Sequence, residues 1–215
     1  MANLLGVTDH LAATRASYDA VAVNYAEFVS GLLDDLPMMR AVLGAFAELV
    51  EGPVAEIGCG PGNITSHLAS LGVEIRGIDL APRMVEVART AYPSLRFEVG
   101  SMTDLSLADG ELGGLIAWYS IHHLPPAELP AVFAGFHRVL TPGGRLLIGS
   151  HTGDDDHVVG TQAYGGIPVS YESYIQPPDR IVDLVRTAGF TITAEMVEPG
   201  SKPGRSYLSL FAQKD

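Results

Sequence analysis

Val54-Ala55-Glu56-Ile57-Gly58-Cys59-Gly60-Pro61-Gly62-Asn63 is the stretch on which the reading of this chain turns. Its first four residues suit a buried parallel strand, because Val and Ile fit a pleat covered on both faces. Glycines at every second position then predict a tight turn, and the amphipathic run Ile64 to Leu71 predicts a helix. Strand, glycine turn and helix together aim backbone N–H groups and a helix N-terminus at a ligand off the carboxyl end of the strand. The spacing is G-x-G-x-G, whereas a dinucleotide fingerprint has G-x-G-x-x-G. Glu56 stands two residues ahead of the first glycine. A carboxylate there repels a pyrophosphate and suits a ligand with an ammonium group.

Upstream of the strand, residues 1–52 read as helical. Ser17 is the expected N-cap of a helix from Tyr18 to Val29 that Gly31 ends, and Pro37 opens a second helix running to Gly52. Downstream, Val73 to Ile78 is a strand ending on Asp79, Pro82 to Tyr92 a helix, and Leu95 to Val99 a strand. Leu115 to Tyr119 is the fourth strand, Pro126 to Leu140 a helix, Thr141-Pro142-Gly143-Gly144 a turn, and Arg145 to Gly149 the fifth strand. Residues 150–178 show no period and are expected to be a substrate-binding loop. Asp179 to Ala188 is a helix, followed by strands Phe190 to Val197 and Tyr207 to Gln213 joined closely enough for an antiparallel hairpin. The expected fold class is α/β: a doubly wound, mostly parallel seven-stranded sheet with a C-terminal antiparallel hairpin. The expected organisation is one domain over 1–215.

Composition narrows the function. A formal charge of −12 without a Lys/Arg cluster argues against a nucleic-acid partner. One cysteine excludes an internal disulfide framework and fits a reducing compartment. No secretory signal and no apolar run long enough for a membrane span is visible, so a cytoplasmic location without a membrane partner is expected. Asp154-Asp155-Asp156-His157 reads as a solvated turn, and no metal is expected.

The run E-x-G-x-G-x-G at 56–62 resembles the first motif of the class I S-adenosylmethionine-dependent methyltransferases, and the order of strands and helices from about Tyr18 to Gln213 is similar to theirs. That resemblance implies a methyl transfer from S-adenosylmethionine to a small-molecule acceptor through an O or N nucleophile. It places Glu56, Gly58, Cys59, Gly60, Gly62 and Asn63 on the cofactor, with Cys59 a small filler of the turn. Asp79, ending the second strand, can accept both ribose hydroxyls, or it can cap the helix at Pro82. Leu80, Met84, Ser101, Met102 and Thr103 follow as cofactor contacts. Relatives often carry an acid where Ser101 stands, and here the acid comes later, at Asp104. Trp118, Tyr119 and Ser120 belong to the segment that faces the sulfonium. Within it His122 and His123 are the candidate general bases, because a histidine can titrate near neutrality, and His151 is a third. The family closes an N-terminal helix bearing two tyrosines over its ligands. That assigns a lid role to 1–52, a catalytic role to Tyr18 and a cofactor contact to Tyr25.

Two other readings stay open. A nicotinamide-dependent oxidoreductase shares the strand-turn-helix plan, and a non-methylating member of the fold can bind the same cofactor. The expected assembly is a monomer or a homodimer.

Overall fold

The computed structural model describes the backbone of residues 7–215 and the side chains from His10 onward; residues 1–6 of the expected lid lie outside the described residues. Among the described residues no helix is long and apolar enough to cross a membrane.

Three helices precede the sheet: α1 (Val7–Val29), α2 (Leu32–Asp35) and α3 (Pro37–Leu49). Helix α1 begins well before Ser17, which corrects the expected cap. The run Leu11-Ala12-Ala13-Thr14-Arg15-Ala16 offers no breaker, so the helix passes through, and the buried Ser17 hydroxyl accepts a hydrogen bond from Ser170 N at 2.9 Å. Helix α2 was not anticipated. α3 starts at Pro37 as expected, with its N–H-free residue in the first turn, and stops before Gly52.

Then follow β1 (Val54–Ile57), α4 (Asn63–Ser70), β2 (Ile75–Asp79), α5 (Pro82–Ala91), β3 (Arg96–Val99) and β4 (Leu112–Trp118). A 3₁₀ turn, Ile121–His123, leads into α6 (Leu129–Val139) and β5 (Leu140–Gly153). Two expectations shift here. β4 starts three residues earlier and ends at Trp118, and β5 starts at Leu140. Between the pairs Leu112–Leu140 and Gly114–Arg145 the register jumps, so residues 141–144 bulge from the ladder where a free turn was expected.

The segment expected to be an irregular loop holds two small ladders. β6 (Asp156–Val159) pairs antiparallel with β9 (Glu172–Ile175), and β7 (Gln162–Ala163) with β8 (Ile167–Pro168). The chain ends with α7 (Pro178–Thr187), β10 (Phe190–Pro199) and β11 (Arg205–Lys214). The main sheet has the order β10-β11-β5-β4-β1-β2-β3, parallel from β5 to β3, with β11 antiparallel to both β5 and β10. This is the seven-stranded, doubly wound sheet with a terminal hairpin that the pattern predicts.

Helices cover both faces. On one, Leu129, Phe133 and Phe136 of α6 and Val182 and Val185 of α7 pack on Ile148, Leu208 and Leu210. On the other, Val42, Leu43 and Phe46 of α3 and Ile64 and Leu68 of α4 pack on Val54, Ile116 and Leu147. Each fully buried side chain of this size contributes about 1.5–3 kcal/mol. The strand order reverses between β1 and β4, which opens a crevice at the carboxyl ends of the strands.

Candidate functional site

That crevice is a cavity of about 670 Å³. Its floor is the glycine turn. Gly58, Gly60 and Gly62 have φ of 79°, 53° and 85°, a region that side chains rarely occupy. The first and third are also closed to a side chain: a Cβ on Gly58 would stand 2.4 Å from Ser120, and one on Gly62 2.7 Å from the Phe97 ring. Gly60 alone of the three lines the cavity without such a clash: a Cβ there would touch the Tyr25 ring edge at 3.4 Å. The turn is held by Gly58 N and Cys59 N, which donate to Ile78 O at 2.7 and 3.1 Å.

Asp79 ties the turn to the next strand. Its Oδ2 accepts from Gly60 N at 2.7 Å and its Oδ1 from Ala81 N at 2.8 Å. Burial pushes its carboxyl up to about 6 against those two N–H bonds. Glu56 on β1 is 1% exposed yet lines the cavity, and its carboxylate accepts a hydrogen bond from the Thr65 hydroxyl. Burial pushes it up to about 8. No cation pairs with it among the described residues. Cys59 packs over Gly77 with Val85, Ala88 and Phe97. Burial raises its thiol, which keeps it protonated and unsuited to nucleophilic chemistry.

Beyond the turn, Asn63, Leu80, Ser101 and Met102 line the cavity, as do Trp118, Tyr119 and Ser120. Tyr119 has φ 51°, a strained value that turns its ring onto His151 and Tyr207, at 4.8 and 6.2 Å between centroids. Gly149 leaves room for the Trp118 indole, which a Cβ there would meet at 2.6 Å. Gly62, Met84, Thr103 and His122 lie off the cavity lining. Met84 is buried against Val21 and Ala22 and fastens α1 to α5. Thr103 hydrogen-bonds Ser101, 2.7 Å between hydroxyls, and Asp104 is exposed.

The roof comes from α1 and the segment after β5. Tyr18 stacks on Tyr171 at 5.5 Å, and Tyr25 meets Tyr164 edge-on at 4.9 Å. Of the aromatic residues in 150–178, Tyr164 reaches the cavity. Tyr174 stacks instead on His157 at 4.5 Å. In the acidic run, Asp155 pairs with Arg180 and Asp156 with Arg205, at 2.5 and 2.6 Å.

Three imidazoles cluster beside the roof. His123 lies 4.2 Å from His122, and His122 lies 5.0 Å from His151. His123 Nδ1 is 2.8 Å from Glu172 O, and its Nε2 is 2.6 Å from the Tyr18 hydroxyl. A carbonyl can only accept, so Nδ1 carries the proton and the Tyr18 O–H donates to Nε2. Burial lowers His123 to about 4, and it lowers His122 and His151 as well. All three are neutral near pH 7. His122 is buried with Nδ1 unpartnered and off the cavity, whereas His123 and His151 line it.

The far wall was not foreseen. Leu33, Leu36, Met38 and Met39 of the α2–α3 region line it, with Glu198 of β10 and Tyr207 and Ser209 of β11. Alternation along β11 puts Tyr207 and Ser209 on one face. Which face meets the cavity follows only from the pairing of β11 with β5.

Residues 54–144 match the family model described as a methyltransferase domain. An uncharacterized methyltransferase of Synechocystis sp. is 33% identical over 91 residues, covering 42% of this chain and 43% of that protein. The chain spans less than two thirds of the length of the curated relatives it matches, 43 to 65% for the first three. Among solved structures, the [4+2]-cyclase SpnF superposes with a TM-score of 0.74 at 15% identity, covering 94% of this chain and 95% of that one. A Burkholderia thailandensis N1-methyltransferase, solved with 1,6-didemethyltoxoflavin and S-adenosylhomocysteine, superposes with a TM-score of 0.67 at 21% identity. Those alignments cover 100% of this chain and 92% of the other.

Proposed function

We propose, from the match of residues 54–144 to the family model described as a methyltransferase domain, that this chain is a class I methyltransferase that transfers a methyl group from S-adenosylmethionine to a small-molecule acceptor. The observation that carries the reading is Glu56, a buried acid with no cation against it among the described residues, beside the glycine turn and Asp79, whose Oδ2 accepts from Gly60 N at 2.7 Å. A buried carboxylate is costly unless a partner arrives, and an α-ammonium is such a partner. The donor, when bound, supplies an activated methyl group on sulfur.

The residues then divide the work. Glu56 takes the ammonium, and the backbone of Gly58 to Gly62 lets the ligand approach closely. Asp79 keeps lone pairs for a sugar diol beyond its two N–H bonds, and Ser101 and Met102 offer contacts beside it. Under this reading α1–α3 and the segment 150–178 form the lid that excludes water, within a single domain. Orientation in such a closed site contributes on the order of 7–11 kcal/mol.

Where the acceptor is a hydroxyl, its proton passes to the Tyr18 oxygen while the Tyr18 proton passes to His123 Nε2. The Glu172 carbonyl holds Nδ1–H and fixes the tautomer. His123 is a weak base in its dry setting, so it takes that proton only as the methyl group leaves sulfur, when loss of the sulfonium charge favours the imidazolium. His151, in the same imidazole cluster, lines the cavity as a second polar contact.

Calorimetric titration with S-adenosylhomocysteine and, separately, NADH tests the reading. Heat with the first alone is expected. Heat with NADH alone would establish the oxidoreductase instead. S-adenosylhomocysteine released from S-adenosylmethionine in the presence of an acceptor separates a methyltransferase from a non-methylating binder.

A further inference from the structure

The cavity has two halves of different chemistry. On the β1–β2–β3 side lie Glu56, the glycine turn, Asp79 and Ser101. On the β5–β11–β10 side, across β4, lie His151, Tyr207, Ser209 and Glu198, beneath Leu33, Leu36, Met38 and Met39. Leu33 and Met39 belong to the apolar cluster that includes Trp118, Tyr119, Met196 and Phe211 as well as Val54 and Ile64, so α2–α3 packs on this face of the sheet.

Its charge is one-sided. Among the described residues no lysine or arginine lines the cavity, and Glu198 is the one acidic side chain lining this half. Two basic side chains of the surrounding elements have partners of their own. Arg40 donates to Leu33 O and to Asp34 O, the latter at 2.7 Å, closing α2. Arg205 pairs with Asp156 at 2.6 Å. His151 is held neutral by burial and by Arg205. The apolar wall adds four aliphatic or thioether side chains, and thioethers adapt to varied ring shapes.

From these walls we infer that the half-cavity over β5 and β11 takes an uncharged aromatic acceptor and rejects anionic ones. This rests on the proposed function, because the acceptor site is the space left when the donor fills the first half. A planar ring fits between the α2–α3 side chains and the Tyr119–His151–Tyr207 group, which holds three rings within 6.2 Å centroid spacings. A carboxylate or phosphate on that ring would meet Glu198 with no lysine or arginine among the described lining residues to offset it, and like charges at close range repel.

The test uses a matched pair, caffeate and its methyl ester, which differ in one charge. S-adenosylhomocysteine is titrated first by calorimetry. Absence of heat there refutes the donor reading and is read separately. The saturated protein is then titrated with each phenol, followed by fluorescence of Trp118, the chain's one tryptophan, in the cavity wall. The ester is expected to bind at least about tenfold more tightly. In Glu198→Lys, checked for unchanged S-adenosylhomocysteine affinity, caffeate is expected to gain about tenfold on the ester. With donor product bound, equal affinities, preference for caffeate, binding of neither, or an unchanged ratio in Glu198→Lys each overturns the inference.

Discussion

Under the proposed function, replacing Glu56 by Gln removes the acid that would take the donor's ammonium group and leaves the shape. Burial in β1 raises this carboxyl from 4.5 to about 8, and the hydrogen bond from Thr65 offsets only part of that. The sign of the stability effect follows. The unfolded chain releases the proton near 4.5, while the folded chain keeps it until about 8, so wild-type stability falls as pH rises through that interval. At 1.36 kcal/mol per pH unit the interval corresponds to at most roughly 5 kcal/mol, present as a deficit above pH 8 and absent below pH 4.5. The Gln variant does not titrate there, so it is expected to overtake wild type as pH rises.

Ligand affinity moves the opposite way. A charge-assisted bond to an ammonium is worth about 1.5–3 kcal/mol. Deprotonating the carboxyl first costs about 0.4 kcal/mol at pH 8, 1.4 at pH 7 and 2.7 at pH 6. Wild type is therefore expected to bind S-adenosylhomocysteine roughly 5- to 80-fold more tightly than Glu56→Gln at pH 8, with the advantage close to nothing at pH 6. Urea unfolding of the ligand-free proteins between pH 5 and 8.5 reads the first effect. Calorimetry at pH 6, 7 and 8, in buffers of different ionisation enthalpy, reads the second and counts the proton released. Parallel stability curves together with a pH-independent affinity ratio would refute the reasoning.

Asp79→Ala is expected to weaken S-adenosylhomocysteine binding by about 1.5–3 kcal/mol, read by calorimetry; unchanged affinity would remove Asp79 from the ligand. Tyr18→Phe keeps the stack on Tyr171 and loses the hydroxyl given to His123. It is expected to lower kcat by roughly 10²-fold or more for a hydroxyl acceptor while product affinity changes by less than about threefold. An undiminished kcat would leave the Tyr18–His123 pair without a chemical role. Gly62→Ala combines a left-handed backbone with a collision on Phe97, and is expected to destabilise by about 2–5 kcal/mol. Gly72→Ala has the same backbone problem with open space around it and is expected to cost about 1–2 kcal/mol; equal losses in urea denaturation would show that packing on Phe97 is immaterial.

The sheet was legible because β1 and β4 are apolar runs bounded or broken by glycine, β2 and β3 keep β-branched or aromatic residues between charged ones, and the terminal hairpin stood out by its close connection. The helix start at Val7 was not, since Ser17 carries an N-cap side chain that the fold uses for a tertiary bond to Ser170. The β6–β9 ladder was invisible for a different reason. All four residues of β6 are exposed, so no alternation marks it. In the site, Glu56, the glycine turn and Asp79 follow directly from strand ends, because parallel strands deliver their carboxyl termini to one edge. Tyr207, Ser209 and Glu198 sit on strands whose placement depends on long-range antiparallel pairing, and nothing in the sequence of the helix after Pro37 singles out Met38 and Met39. His122 and His123 were equivalent in sequence; only the 3₁₀ turn separates the one that lines the cavity from the one that does not.

The family match ends at residue 144, one residue before the aligned part of β5 begins to pair with β11. Under the proposed reading, the portion held in common with relatives carries the donor machinery, and the remaining C-terminal strands carry the walls that choose a partner molecule. Selection on substrate preference can then act on β5, β10, β11 and the helices ahead of β1 while leaving the glycine turn and its two acids intact. One sheet thereby keeps an invariant reagent and a replaceable customer on opposite sides of a single strand.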